Sequence, residues 1–205
     1  MLTRGLVAQA EAEFGTPREI SLEAELSERE LGVIGPSLRR LRTHDVTLFI
    51  LDEDRIAVIR KPMFPPGVFR APSGGVGPGE TIEEGARREA FEETGLEVVL
   101  QRYLLRVRAT FRAAGAWPGR DLLPDDVMAP DDPGAIRWWT HVFQARPVGS
   151  TLLDPRDTWE IAEAKWVTLS ELQGSIRQKL LETGTAFFRY RAALTDAAVE
   201  RIEEF

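Results

Sequence analysis

Residues 74–96 read GGVGPGETIEEGARREAFEETGL, a glycine-rich loop that runs into a helical pattern. Thr81 and Glu84 have the spacing of a capping box, which predicts that a helix begins at this point. Gly95 suits the position just after a helix, because glycine adopts left-handed backbone angles without a steric penalty. The segment therefore predicts a loop followed by a helix from Thr81 to Thr94.

Three carboxylates share one side of this predicted helix. Glu89 lies three residues before Glu92 and four before Glu93, so the three side chains are neighbours on the helix surface. Like charges at these spacings repel by about 0.2–0.5 kcal/mol per pair. A hard divalent cation such as Mg²⁺ or Mn²⁺ compensates for this repulsion, because it prefers oxygen ligands. The spacing indicates a metal site, and the alternative interpretation is a solvated acidic helix face.

The spacing of the whole segment favours the metal site. It fits the pattern Gly-x5-Glu-x7-Arg-Glu-U-x-Glu-Glu-x-Gly-U, in which U is an apolar residue. The seven fixed positions are filled by Gly74, Glu80, Arg88, Glu89, Glu92, Glu93 and Gly95. Ala90 and Leu96 fill the two apolar positions. On these residues the segment resembles the signature motif of the Nudix hydrolases, the Nudix box.

The resemblance extends beyond the box, over about residues 43–182. Pro72 precedes the first two glycines of the loop, and a later strand-like EAKWV at 163–167 is followed by LSEL at 169–172. What the resemblance implies is an α/β fold, a Nudix-type α/β/α sandwich with a mixed β-sheet. The box would form a loop–helix–loop at the edge of that sheet.

The resemblance also implies a set of metal ligands. The acidic side chains of the box that would hold Mg²⁺ or Mn²⁺ are Glu89, Glu92 and Glu93. A main-chain carbonyl near Gly74 would be a further ligand. Members of the family often add a glutamate from outside the box, and Glu160 and Glu163 are the two candidates in this chain.

The remaining box residues would serve catalysis and local structure. Glu93 or Glu89 would take a proton from the water that attacks phosphorus. Arg88 would orient a carboxylate, Glu80 would support the loop, and Gly95 would end the helix. The implied reaction is hydrolysis of a diphosphate into two monophosphate-ended products, with the cation stabilising charge on the leaving phosphate.

The resemblance implies that the chain divides into an N-terminal extension, residues 1–42, and a domain similar to Nudix hydrolases, residues 43–205. Within the domain, Val46–Leu51 and Ile56–Ile59 predict a hairpin, because a short polar turn separates two apolar runs. Residues 112–134 are rich in Gly, Pro and Asp and predict an irregular insertion, either a lid or a disordered loop. The C-terminal part predicts two helices, one ending near Glu182 and one from Ala186 to Ile202.

The composition argues against several classes of function. The 205 residues include no cysteine and two histidines, which excludes disulfides and thiolate zinc sites. A net charge of −7 argues against general binding of DNA or RNA. No apolar run approaches the roughly 18 residues of a membrane span. We therefore expect a cytoplasmic protein with a small nucleotide-like substrate, without nucleic-acid or membrane partners.

The substrate class stays open at the level of sequence. ADP-ribose, a nucleotide sugar, a dinucleoside polyphosphate and a nucleoside di- or triphosphate all contain a suitable linkage. Binding of such a substrate requires an aromatic platform for the base and cations for the phosphates. The aromatic candidates are Phe69, Trp117 and Trp139, and the cationic candidate is Arg60, with Lys61 and Arg70 as further cations. Each has an alternative role in the core or as a solvated strand-end charge.

Two other functions remain as alternatives. A non-catalytic Nudix-like module would sense a nucleotide or sugar, although the box here keeps all its glutamates. A homodimer interface would explain the apolar C-terminal residues Phe187, Phe188 and Tyr190, and so would packing against the domain's own core.

Overall fold

The strands of the protein form one mixed β-sheet in the computed structural model, which describes residues 4–32, 43–113, 128–129 and 132–205. The strands in these ranges are β1 Arg18–Leu26, β2 His44–Asp52, β3 Arg55–Arg60, β4 Ser73–Gly75, β5 Val98–Ala113, β6 Met128–Ala129, β7 Asp132–Pro147 and β8 Glu163–Thr168. They lie in the order β1-β5-β7-β2-β3-β8, with β4 beside β2 and β6 beside β7. β1 runs parallel to β5 and β2 parallel to β7, while the other described pairs are antiparallel.

Local sequence signals explain where the helices begin. Three helices are continuous α-helices, namely α1 Arg4–Phe14, α2 Ile82–Thr94 and α4 Ala186–Glu203. The helix α3 consists of Leu169–Glu171, a π-helical turn Leu172–Ile176 and Arg177–Glu182. Residues 28–32 are also helical. Capping boxes open α2 at Thr81 and α3 at Thr168, since each threonine hydroxyl accepts a hydrogen bond from the N–H three residues on. The predicted helices of the box and of the C-terminal part are confirmed.

Two helical layers cover the two faces of the sheet. Consecutive residues of β2 point to opposite faces, so Leu48 and Ile50 belong to one core cluster and Phe49 to the other. The cluster with Leu48 contains residues of α1 and α2, such as Val7 and Ile82. The cluster with Phe49 contains residues of α3 and α4. This arrangement is the predicted α/β/α sandwich.

The N-terminal part of the chain contributes to the same sheet. The segment 1–42 is the predicted extension, and its described residues 4–32 include α1 and β1. β1 pairs with β5 from Arg18–Leu105 to Leu26–Ala113. Its apolar residues Ile20 and Leu22 pack against the core, while the residues between them face outward. The described part of this extension therefore forms the edge of the sheet.

The predicted insertion 112–134 is described only at its ends and at β6. β5 runs to Ala113, β7 begins at Asp132, and β6 pairs with β7. The remaining residues of the insertion, including Trp117, lie outside the described residues.

In the part of the chain that the structure describes, no helix combines the length and apolar character needed to cross a membrane.

The aromatic residues at the start of α4 face the domain's own core. Phe188 and Tyr190 are buried, and Phe187 packs beside them. The Tyr190 hydroxyl lies 2.8 Å from the Thr140 hydroxyl, which satisfies both buried groups. The sequence offered a homodimer interface and packing against the domain's own core as explanations for this apolar segment. The structure shows packing against the core.

Candidate metal and catalytic site

Gly95 follows α2 and fixes the position of the last turn of this helix. Gly95 has a φ of +77°, and a Cβ there would overlap the main-chain carbonyl of Asp154. Glycine is therefore required both by the left-handed backbone and by the close approach of the loop. The Asp154 N–H also donates to the Thr94 carbonyl at 2.9 Å. These contacts hold the last turn of the helix against the β7–β8 connection.

Arg88 binds three carboxylates of the box. Its Nε and Nη2 donate to the two oxygens of Glu80 at 2.7 and 2.9 Å, a bidentate ion pair. Its Nη1 donates to Glu89 at 2.7 Å and to Glu92 at 3.0 Å. Nη2 also donates to the Gly75 carbonyl at 2.8 Å. One guanidinium thus connects the glycine loop with three of the box glutamates, and these bonds raise the pKa of Arg88.

Glu93 points away from Arg88 into a second set of donors. Its carboxylate is buried, with one oxygen accepting from the Ser73 N–H at 2.7 Å and the other from Arg70 Nη2 at 3.2 Å. Lys61 Nζ lies 3.6 Å from the same oxygen that Arg70 binds. Charge-assisted hydrogen bonds of this kind stabilise the ionised carboxylate and fix its orientation.

Glu89 is a crowded carboxylate of the site. Its side chain lies against Gly74 so closely that a Cβ on this glycine would overlap the carboxylate. The pKa of the Glu89 carboxyl is raised to about 7, because burial raises it more than the hydrogen bond from Arg88 lowers it, and the charges of Glu93 and Glu92 add to the increase. The protein therefore holds a carboxylate where ionisation is unfavourable.

The donor set of this site fits a hard divalent cation. Carboxylate and main-chain carbonyl oxygens are the ligands that Mg²⁺ and Mn²⁺ prefer, and the Glu89 carboxylate lies against the main chain at Gly74. Within the described ranges, no three acidic or histidine side chains converge on a single point. Arg88 and Arg70 bind the carboxylates in separate ion pairs. These guanidinium groups neutralise part of the negative charge of the glutamates.

The two candidate glutamates outside the box differ in their partners. Glu160 accepts from Lys61 Nζ at 2.6 Å, and Lys61 also lies beside Glu93. Glu163, on β8, pairs with Arg60 across the strands at 3.3 Å. The structure thus links Glu160, through one lysine, to a box glutamate.

The predicted substrate-binding residues that the structure describes all have partners within the domain. Arg60 is engaged by Glu163 at 3.3 Å. Phe69 is buried in the core, with Lys165 Nζ 4.2 Å from its ring centroid. Trp139 is half-buried on β7, with the Arg106 guanidinium 4.7 Å from its ring centroid. Trp117, the fourth, lies outside the described residues.

Sequence reasoning did not predict Arg70 and Lys61 as partners of Glu93. Both precede the glycine loop, and no spacing rule links them to a helix that begins more than ten residues later. Arg191 of α4 was also missed. It is buried, it donates to the Thr47 hydroxyl at 3.3 Å, and burial lowers its pKa with the charge of Arg70 as a second cause. A basic residue in an amphipathic helix is usually exposed, so its sequence gave no signal.

Comparison with known proteins gives matches to one family. The family model described as NUDIX domain matches residues 41–187. The chain is 37% identical over 82 residues to the NAD-capped RNA hydrolase NudC of Chromobacterium violaceum, covering 40% of this chain and 28% of that protein. It is 33% identical over 110 residues to the RNA pyrophosphohydrolase of Erythrobacter litoralis, covering 52% of this chain and 62% of that protein. The matches thus span less than two thirds of the length of these curated relatives.

Among the solved structures to which this chain is similar is a NUDIX hydrolase from Nitrosomonas europaea. The two share 18% sequence identity with a TM-score of 0.48, over 80% of this chain and 89% of that one.

Proposed function

Because the chain belongs to the Nudix family, we propose that it hydrolyses the diphosphate linkage of a nucleoside diphosphate derivative, with Mg²⁺ or Mn²⁺ as cofactor. The family and the pyrophosphohydrolases named among its relatives support an enzyme that acts on phosphoric anhydrides. The substrate, the metal and the role of each residue are the parts that we propose.

The crowded carboxylate of Glu89 is the observation that carries the proposal. Its pKa of about 7 reflects burial together with the charges of Glu93 and Glu92. The pKa stays raised although Arg88 donates to Glu89 at 2.7 Å, so this one ion pair does not offset the cost of ionising the buried carboxylate. A divalent cation at this position would offset both the burial and the mutual repulsion, which supports a metal site built from these glutamates.

We propose that the carboxylates of Glu89, Glu92 and Glu93 hold the cation together with the main-chain carbonyl of Gly74. Glu160 is our candidate for an additional ligand, because it shares Lys61 with Glu93. Glu163 is the alternative. A cation held there would polarise the phosphoryl oxygens and neutralise the charge that develops on the leaving phosphate.

The protein's own groups orient the reacting partners. Arg88 keeps the carboxylates of Glu89 and Glu92 directed towards the glycine loop through bonds of 2.7 and 3.0 Å. Arg70 and the Ser73 N–H hold Glu93 from the opposite side. A water molecule attacks phosphorus, and Glu93 or Glu89 takes its proton. The pH dependence of kcat in the two glutamine variants distinguishes these candidate bases.

The names of the relatives widen the range of substrates to be tested. NAD-capped RNA hydrolases and an RNA pyrophosphohydrolase are among them, so the predicted absence of nucleic-acid substrates needs a direct test. A net charge of −7 still argues against broad contacts with an RNA backbone. RNA would therefore be engaged mainly at its 5′ end, where the diphosphate or triphosphate lies.

The experiment is release of phosphate from a panel of substrates in a phosphatase-coupled assay, with Mg²⁺, with Mn²⁺ and with EDTA. The panel contains ADP-ribose, NAD, nucleotide sugars, dinucleoside polyphosphates, nucleoside di- and triphosphates, and RNA with a 5′ triphosphate or an NAD cap. We expect cation-dependent turnover of one class. Binding of nucleotides without turnover of any substrate would contradict the proposal and favour the sensing module.

A further inference from the structure

Trp159 is the most exposed large hydrophobic side chain among the described residues, with 93% of its surface accessible to solvent. Tryptophan is usually highly buried, because burial of its large ring is strongly favourable. The other tryptophans in the described ranges follow this rule, since Trp138 is buried and Trp139 and Trp166 are half-buried. A ring of this size that the fold leaves exposed is free to contact a ligand.

The main chain around Trp159 is attached to the helix that carries the glutamates. The N–H groups of Arg156 and Asp157 both donate to the Glu92 carbonyl, at 2.9 and 3.0 Å. The Asp157 carboxylate then accepts from the N–H groups of Trp159 and Glu160, at 3.1 and 2.9 Å. The backbone that presents the ring is therefore held in place by hydrogen bonds.

The residue after Trp159 connects the same turn to the other side of the site. Glu160 bonds to Lys61 at 2.6 Å, and Lys61 Nζ lies 3.6 Å from the Glu93 carboxylate. Two residues after Lys61, Met63 is also exposed, with 72% of its surface accessible. The ion pair beside Glu93 is thus flanked in sequence by two exposed apolar side chains, one aromatic and one thioether.

We infer that Trp159 stacks on the aromatic base of the substrate's nucleoside while the phosphates lie at the glutamates of α2, an inference that rests on the proposed function. The position is suitable because Trp159 adjoins Glu160, which Lys61 links to Glu93, and a single ribose separates the base of a nucleotide from its phosphates. Stacking tolerates any base, since every base has a π face. Trp159 is thus our candidate for the aromatic platform, in addition to the residues that the sequence offered for it.

The first test compares binding of adenosine 5′-monophosphate with binding of ribose 5-phosphate, which keeps the sugar and phosphate and lacks the base. Both are titrated calorimetrically, with Mg²⁺, into the wild-type protein, Trp159→Ala, Trp159→Phe and the control Leu152→Ala. Leu152 is a suitable control because it is exposed to 73% in the same β7–β8 connection. Trp159→Ala should weaken the nucleotide roughly tenfold or more, the size expected for loss of one stacked base.

The expected pattern is specific to stacking. Ribose 5-phosphate should bind all four proteins equally, Trp159→Phe should retain most of the nucleotide affinity, and Leu152→Ala should match the wild type. Nucleotide should quench tryptophan fluorescence in the wild type and much less in Trp159→Phe. With the substrate found in the panel, Trp159→Ala should raise KM roughly tenfold and leave kcat within about twofold. The melting temperature should not change, because the side chain is exposed.

Several results would overturn the inference. Unchanged nucleotide affinity and KM in Trp159→Ala, with an active wild type, would remove the stacking role and leave the proposed function intact. A lower molecular mass of Trp159→Ala in solution, with unchanged KM, would assign the ring to an interface between copies of this chain. A wild type that neither binds the nucleotide nor hydrolyses any substrate would contradict the proposed function, and the stacking role would be rejected with it.

Discussion

Replacement of the crowded glutamate, Glu89→Gln, should stabilise the metal-free protein while it removes activity. The folded state raises the pKa of the Glu89 carboxyl from 4.5 to about 7. The folded protein therefore binds more protons than the unfolded chain between these two values. The stability that protonated Glu89 contributes is complete below pH 4.5 and is lost as the pH rises through 7.

The magnitude follows from this pKa. Each pKa unit corresponds to about 1.4 kcal/mol, so ionised Glu89 lowers the free energy of unfolding by about 3 kcal/mol above pH 7. Glutamine resembles the protonated carboxyl and keeps an oxygen that accepts the hydrogen bond from Arg88. We expect Glu89→Gln to gain about 1–3 kcal/mol at pH 8 in EDTA, the upper value being the full cost of the charge.

Urea denaturation at pH 5 and pH 8 in EDTA measures this difference, with Glu83→Gln as the matched control on the same helix. Glu83 pairs only loosely with Arg87, at 3.7 Å, so its variant should stay within about 0.5 kcal/mol of the wild type at both pH values. Added Mg²⁺ should raise the stability of the wild type and much less that of Glu89→Gln. A Glu89→Gln protein that is less stable than the wild type at pH 8 in EDTA would refute the reasoning.

Two further predictions concern the fold. Gly95→Ala should destabilise the protein by about 1–3 kcal/mol or more in thermal denaturation, because φ is +77° and the new Cβ would overlap the Asp154 carbonyl; a loss under about 0.5 kcal/mol would contradict the close packing there. Burial keeps the pKa of His141 well below its usual 6.5, with the charges of His44 and Arg106 as further causes. The unfolded chain therefore binds a proton that the folded state excludes, so the free energy of unfolding should fall below pH 6.5 with a contribution of up to about 1.4 kcal/mol per pH unit. His141→Gln should lack this contribution in denaturation curves from pH 5 to 7, and an identical pH dependence in both proteins would count against it.

The elements near the box were predictable because their signals are local. Thr81 and Glu84 open the helix and Gly95 ends it, and the structure has these caps. The strand β1 had a local signal as well, since residues 18–26 alternate polar and apolar side chains. Its partner β5 lies about 85 residues later in the chain, and no local pattern specifies such a parallel pairing.

The site was predictable only in part, for a similar reason. The spacing of Glu89, Glu92 and Glu93 places them on one helix, and this needs no knowledge of the rest of the fold. The groups that donate to Glu93 belong to Arg70 and Ser73, which lie outside the helix and become its neighbours only through folding. Exposure is likewise a tertiary property. Sequence alone therefore did not separate the buried Phe69 from the exposed Trp159.

The measurement that tests the central proposal most directly is phosphate release from the substrate panel as a function of Mg²⁺ concentration, for the wild type, Glu93→Gln and the control Glu83→Gln. We expect turnover that requires the cation, a loss of roughly 10²–10⁴-fold in kcat for Glu93→Gln, and wild-type rates for Glu83→Gln. Turnover that persists in EDTA, or full activity of Glu93→Gln, would contradict a metal-dependent hydrolase built on these glutamates.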